Sequence, residues 1–170
     1  MASARNISDA VLRNFLSVPR RIAVLGYSTN ASRPSNHVSH YMAQQGSTVV
    51  GVNPGAAGAA DGGIAVVPSL AAAFESFEKV APHTGDDGKQ PAPVEIVDVF
   101  RKPEALPEVL AEVRALPMKP QLVWLQEGVT NEAVEAALAA DGIAVVSNRC
   151  ILKEHQRLVA NAAPSPSSNL

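Results

Sequence analysis

The chain has 170 residues, 46% apolar and 18% charged, with 14 Lys and Arg against 16 Asp and Glu. That length supports one domain with one core, burying roughly 70% of the unfolded surface, and with only 4% aromatics the core must be aliphatic. A net charge of −2 without long runs of one sign argues against nucleic acid or a membrane surface as partner. The lone Cys150 excludes an internal disulfide or a multi-cysteine metal site, and no stretch approaches the roughly 18 apolar residues of a membrane span.

In chain order, Ser8 is placed to cap a helix over 9–16, with Val11, Leu12 and Phe15 on one face. This helix outweighs the alternative of an arginine-rich transit peptide built on Arg5, Arg13, Arg20 and Arg21. Pro19 ends it and feeds a strand over 22–26. A Ser/Asn/Pro loop leads to a helix over 35–45. Strands follow at 47–52 and 65–67, then a helix over 69–79. Next come a strand at 94–100, a helix over 103–116, a strand at 122–126, a helix over 131–140, a strand at 143–147 and a helix over 151–159. The strand runs IAVL, TVVGV, IVDVF, LVWL and IAVV are apolar almost throughout, without in/out alternation. Strands covered on both faces look like this. Repeated β–α units of that kind imply an α/β fold: a doubly wound, mainly parallel sheet of five to six strands with helices on both faces. The expected organisation is an N-terminal helix in 1–20 packing on a domain at 21–160, and a disordered tail at 161–170. The stretches 55–63 (GAAGAADGG) and 81–93 (APHTGDDGKQPAP) read as exposed, mobile loops.

Ligands of open α/β sheets bind outside the carboxyl ends of the strands, at the switch point. Five strand ends carry chemistry suited to an anionic nucleotide. Gly26 allows a sharp turn and a close ligand approach. The hydroxyls of Ser28, Thr29 and Ser35, and the free N–H groups that open the next helix, can donate to phosphate. Arg33, Arg101, Lys102 and Arg149 add positive charge to the same edge. Phe100 and Trp124 offer planar apolar surface. Each residue alone has a plainer reading, with Ser35 as an N-cap, Trp124 as core and the arginines as solvated charges; the set together favours a nucleotide site. A dinucleotide fingerprint is absent, since Gly26 has no second glycine until Gly46. In place of an acid at the end of the second strand stand Asn53 and Pro54, with Asp61 the nearest acid, further on in the loop. NAD is therefore disfavoured, and a nucleotide with an extra ribose phosphate, NADP or coenzyme A, is permitted.

The runs IAVLGYSTNASRPS (22–35), VVGVNP (49–54), EIVDVFRKPEALPEVL (95–110), VWLQEGVTNEAV (123–134) and VSNRCILKEHQRL (146–158) carry a resemblance to a family. In that order they resemble the small CoA-binding domain proteins, stand-alone relatives of the CoA-binding domain in the succinyl-CoA synthetase α subunit. The resemblance covers about 21–158. It implies a Rossmann-like fold that binds coenzyme A, usually without an established reaction. By position, Gly26, Tyr27 and Ser28 together with Arg33, Pro34 and Ser35 would hold the pyrophosphate. Asn53 and Pro54 would border the adenosine or its phosphate. Phe100, Arg101, Trp124, Gln126 and Gly128 would line the rest of the groove. Arg149 and Cys150 fall on the last motif, where Asn148 stands in place of the family's more frequent Asp.

Catalytic groups are harder to find. His37 and His40 on the first crossover helix, His83 in a loop and His155 on the last helix form no nucleophile–base arrangement or metal cluster by spacing. The phosphohistidine on which the synthetase relies lies in a second domain that has no counterpart here. Cys150 is the one reactive candidate, beside Arg149 at a helix start, where cation and dipole favour the thiolate. Its plainer reading is a small buried apolar side chain.

The expectation is a coenzyme A or acyl-CoA binding module acting as carrier, sensor or regulatory unit, more as a binding protein than an enzyme. The alternatives are an NADP-dependent oxidoreductase and a CoA-thiol redox protein using Cys150. The apolar rim helices leave room for a homodimer or an unidentified protein partner. A cytoplasmic location is the default, with a peroxisome-type organelle as alternative because Ser168-Asn169-Leu170 approaches a C-terminal S-K-L address.

Overall fold

Six of the strands lie parallel, and their order reverses at one point. The computed structural model describes residues 7–80 and 91–161. The elements are α1 (Asp9–Leu16), β1 (Arg21–Leu25), α2 (Pro34–Gln44), β2 (Thr48–Val52), β3 (Ala60–Asp61), β4 (Ile64–Val67), α3 (Leu70–Glu78), β5 (Ile96–Val99), α4 (Leu106–Arg114), β6 (Leu122–Leu125), α5 (Glu132–Ala140), β7 (Ala144–Val146) and α6 (Ile151–His155). A π-helical turn, Gln156–Ala160, extends α6. The sheet order is β3-β4-β2-β1-β5-β6-β7, with every pair parallel except β3–β4. This is the expected Rossmann-like α/β fold, with seven strands where five to six were expected. The extra strand is β3. It lies inside the 55–63 stretch, which is ordered by pairing with β4 (Ala60 with Ala65, Asp61 with Ile64) and does not form the mobile loop expected.

Each of the six parallel strands feeds two cores. From β1, Ala23 and Leu25 enter an aliphatic cluster shared with α3, α4 and α5. Ile22 and Val24 enter the opposite cluster with α1, α2 and α6. This two-sided burial explains the missing alternation in the strand sequences. Helix starts follow their caps: Ser8 Oγ accepts from Val11 N, Ser69 Oγ from Ala72 N and Asn131 Oδ1 from Val134 N. Helix α2 differs. Its cap position is Arg33, which makes no side-chain capping bond, and Pro34 opens its first turn.

The amino end of the sheet is held by a buried carboxylate. Glu95, fully buried just before β5, accepts from Arg21 N at 2.7 Å and from Arg20 Nη1 at 3.3 Å. Arg20 also stacks on the Phe15 ring, 4.1 Å from its centroid, so α1, β1 and β5 meet at one charge pair. No described helix is long and apolar enough to cross a membrane. The residues at 1–6, 81–90 and 162–170, which include His83 and Ser168-Asn169-Leu170, lie outside the described residues.

Tyr27 is wholly buried against the backbone of Gly51, where an added Cβ would sit 2.6 Å from the ring atoms Cγ and Cδ1. The ring cannot retreat without breaking the turn that leaves β1. Gly51→Ala is therefore expected to cost about 1–3 kcal/mol by overpacking, read as a lowered urea midpoint at unchanged slope.

Candidate functional site

The chain leaves β1 toward α2 on one face and leaves β5 toward α4 on the other, so the rim opens between these neighbouring strands. Three cavities run along this rim. The outer one, about 620 Å³, lies over the ends of β1, β2 and β4 and includes Gly26, Asn53, Pro54, Ser69, Arg101, Glu108 and Glu112 in its wall. A middle one, about 360 Å³, is formed by the β1–α2 turn and start of α2, with Asn53 and Phe100. The inner one, about 370 Å³, is lined by Pro34, His37, Val38, Phe100, Gln126, Glu127, Val129, Cys150 and Lys153. Outer and middle share Gly26 and Asn53; middle and inner share Pro34 and Phe100.

The middle compartment owes its shape to a glycine. Gly26 has φ +79°, and a Cβ there would lie 2.8 Å from the Phe100 carbonyl oxygen. Only glycine allows both this turn and this approach. Ser28 N then donates to Ser35 Oγ at 3.1 Å, folding the loop back onto α2. The first turn of α2 has no side-chain cap and sits at the positive end of the helix dipole, with the Asn36 and His37 N–H groups donating to the Arg33 carbonyl. Exposed Arg33 has no ion-pair partner among the described residues, and it lines the same space.

A polar latch stabilises that turn from behind. Asp61 on β3 accepts from the Tyr27 hydroxyl at 2.6 Å, from Asn36 Nδ2 at 2.7 Å and meets His40 Nε2 at 3.3 Å. Asn36 also donates to the Ser28 carbonyl at 2.9 Å. The Tyr27 hydroxyl, then His40 and Asn36, hold the Asp61 carboxyl below the usual carboxylate range. Burial, and next the Asp61 charge, push the Tyr27 phenol well above its usual range. Asp61 is therefore a fastener of the α2 side and is absent from the walls of all three compartments. Asn53 is similarly committed: its Nδ2 donates to the Tyr27 carbonyl and its Oδ1 accepts from Gly55 N, both at 2.9 Å.

The structure brings twelve of the fifteen expected residues to the groove: Gly26, Tyr27, Ser28, Arg33, Pro34, Ser35, Asn53 and Phe100 around the middle, Pro54 and Arg101 in the outer wall, Gln126 and Cys150 in the inner. Three lie elsewhere. Trp124 is a correction: it is wholly buried in the core on the α1/α2/α6 side, and its indole N–H donates to the Arg149 carbonyl at 2.7 Å. It supports the β7–α6 loop from below and offers no face to a ligand. Gly128 is exposed and donates its N–H to Asn148 Oδ1 at 2.8 Å. Asn148 itself adopts φ +57°, a conformation Asn tolerates better than most residues. Arg149 is half-buried and lines none of the three cavities.

Arg101 is also less free than its sequence context suggests, since Glu108 lies 3.2 Å and Glu112 3.8 Å from its guanidinium. Burial, with Glu108 beside it, pushes the Glu112 carboxyl up. Charge in the outer compartment thus offsets, and among the described arginines and lysines that line the three cavities Arg33 is the one without an ion-pair partner. Sequence reading missed Glu108, Glu112 and Ser69 in the outer wall, and Asp98 below the inner one. Asp98 alone left a signal, as the single acid inside the apolar run IVDVF.

A doubly wound sheet with a groove across its switch point defines a Rossmann-like domain of the kind that holds ligands at its carboxyl rim. The chain matches the model of the CoA binding domain family over residues 20–156, and it belongs to that family. It is 32% identical over 151 residues to the uncharacterized protein YneT of Bacillus subtilis, covering 89% of this chain and 96% of that one. Among solved structures it is similar to cell-free ID.343 from Thermus thermophilus, at 40% identity and TM-score 0.72, covering 89% of this chain and 99% of that chain. A hypothetical protein from Pyrococcus horikoshii OT3 shares 26% identity with TM-score 0.70, over 91% and 94% of the two chains.

The latch makes a pH-dependent contribution. A carboxylate held below its ordinary value stabilises the fold above about pH 4 and loses that contribution as pH falls through its folded value. Asp61→Asn is expected to be less stable than wild type at pH 7, and the gap between their urea midpoints should close as pH drops below about 4.

Proposed function

We propose that this chain binds coenzyme A, or an acyl derivative of it, along the carboxyl rim. In this reading the adenosine occupies the outer compartment, the pyrophosphate lies across the start of α2, and the pantetheine arm runs into the inner compartment. The observation that carries it is the end-to-end linkage of three cavities, with the positive end of α2 and Arg33 at their centre. An elongated ligand with its anionic group in the middle matches that layout. Membership of the CoA binding domain family supports the same ligand class. The chain then serves as a carrier, sensor or regulatory module that holds and presents the coenzyme.

Calorimetric titration with coenzyme A, dephospho-coenzyme A, NAD and NADP tests this. Coenzyme A is expected to bind, and dephospho-coenzyme A more weakly. Arg33→Ala should weaken coenzyme A binding about tenfold or more, as loss of a charged hydrogen-bonding partner does. Arg101→Ala should cost less, because Glu108 and Glu112 already engage that guanidinium. Binding of NADP with no response to coenzyme A would overturn the reading in favour of a reductase.

Cys150, in the wall of the inner compartment, favours a second reading in which the coenzyme and this thiol exchange. The Cys150 thiolate attacks one sulfur of coenzyme A disulfide, forming a mixed disulfide and releasing one coenzyme A thiolate, which takes up a proton. Non-reducing mass spectrometry after incubation with that disulfide should show a coenzyme-sized adduct that is lost in Cys150→Ser. An unmodified wild-type chain removes this reading.

A further inference from the structure

One strand position places an acid where an aliphatic residue is expected. Asp98 of β5 is in register with Val24 of β1 and Trp124 of β6, and it points to the same face as those two core residues. It is 1% exposed, and its side-chain partner is Gln126 Nε2 at 2.5 Å. Gln126, itself 4% exposed, lines the inner compartment. No donor among the described residues reaches Gln126 Oε1. One end of this carboxamide is therefore spent on the core, and the other is left for whatever enters the cavity.

We propose that Gln126 is the polar reader of the inner compartment, and that Asp98 is the positioning residue that decides which end of its carboxamide faces the ligand. The inference rests on the coenzyme A reading for the identity of that ligand. An ionised carboxylate only accepts, so it turns the Gln126 amino group inward and the oxygen toward the cavity. The compartment then presents an acceptor, the complement of the amide N–H donors of a pantetheine arm. A protonated Asp98 instead donates to Gln126 Oε1, the carboxamide flips, and the cavity loses the acceptor that the N–H groups of the arm would use.

Asp98 is placed to make this change under ordinary conditions. Burial pushes its carboxyl up to about 7, against the opposing hydrogen bonds from Gln126 and the Val99 backbone. Its neighbours in register carry no charge. The titratable groups in the cavity wall are His37 from α2, Glu127 after β6, Cys150 at the α6 cap, and Lys153 on α6. Lys153 and Glu127 are paired at 2.6 Å, and His155 of α6 is bonded to Tyr41 of α2 at 2.9 Å. The acceptor form dominates above about pH 7, so affinity for the arm should rise with pH through that value.

The test compares coenzyme A with adenosine 3′,5′-bisphosphate, which lacks the arm, by calorimetry on the full chain. Because imidazoles change charge near neutrality, the pH series is run in a His37→Gln background. Gln126→Leu should lose about tenfold for coenzyme A, the worth of one good hydrogen bond, and less than twofold for the bisphosphate. Coenzyme A affinity should rise several-fold from pH 6 to pH 8, and Asp98→Asn should flatten that rise. Carbon-13 NMR of the Asp98 carboxyl in the ligand-free protein should follow the same midpoint, which keeps the test decisive if Asp98→Asn fails to fold. Equal losses for both ligands in Gln126→Leu, or a pH slope that survives Asp98→Asn, would overturn the inference while leaving the coenzyme A reading intact. If neither ligand binds wild type, the reading and the inference fall together.

Discussion

The whole rim depends on the close passage of two strand ends. Gly26 N reaches back to the Val52 carbonyl at 3.1 Å, while Phe100 N donates to the Leu25 carbonyl at 2.9 Å. These bonds fasten the exits of β1, β2 and β5 together just where the crossovers part to opposite faces. A side chain at position 26 would strike the Phe100 carbonyl, so the approach is set by backbone alone. Phe100 in turn divides the middle compartment from the inner one, and Gly26 divides the middle from the outer. A shift in this contact would change all three spaces at once.

Charge is distributed along the groove in a definite order. The outer compartment has one cation facing two carboxylates, the middle has the positive end of α2 with an unpaired arginine, and the inner has a closed Lys153–Glu127 pair beside a neutral amide. An anion is favoured most at the middle, and a phosphate in the outer space gains less because it competes with Glu108 and Glu112 for Arg101. The latch of Asp61, Tyr27, Asn36 and His40 adds no charge to this pattern, because it is spent holding the turn from the opposite side.

What the sequence revealed and what it withheld divide by the range of the interactions. Strands buried on both faces show in local composition, and the caps Ser8, Ser69 and Asn131 act within three residues, so the architecture and most helix starts were legible. The rim residues Gly26, Ser28, Arg33 and Asn53 were legible because topology alone puts strand ends together. Long-range pairings were hidden. Nothing near residue 61 shows that its carboxylate meets a hydroxyl 34 positions earlier, a contact that joins the β4 pairing in fastening an otherwise glycine-rich loop. Trp124 misled for a related reason. Its place in the strand is the same for a ring that faces a ligand and one that faces the core, and the Arg149 carbonyl that satisfies its N–H lies 25 residues on.

Two buried acids, one just before β5 and one within it, show how position separates structural from functional polarity. Glu95 and Asp98 are three residues apart and almost equally inaccessible. Glu95, at the amino end, meets a backbone N–H and an arginine, so its charge is compensated where it stands. Asp98, at the carboxyl end, is given a carboxamide and a backbone N–H, and burial leaves it titrating near neutrality. A carboxylate without a cation is a poor stabiliser of a core that would otherwise take an aliphatic side chain. Its one side-chain partner belongs to the cavity wall. The acid that the core tolerates at a cost is thus the one wired to the groove, whereas the acid that holds the sheet lies at the far end of the strand.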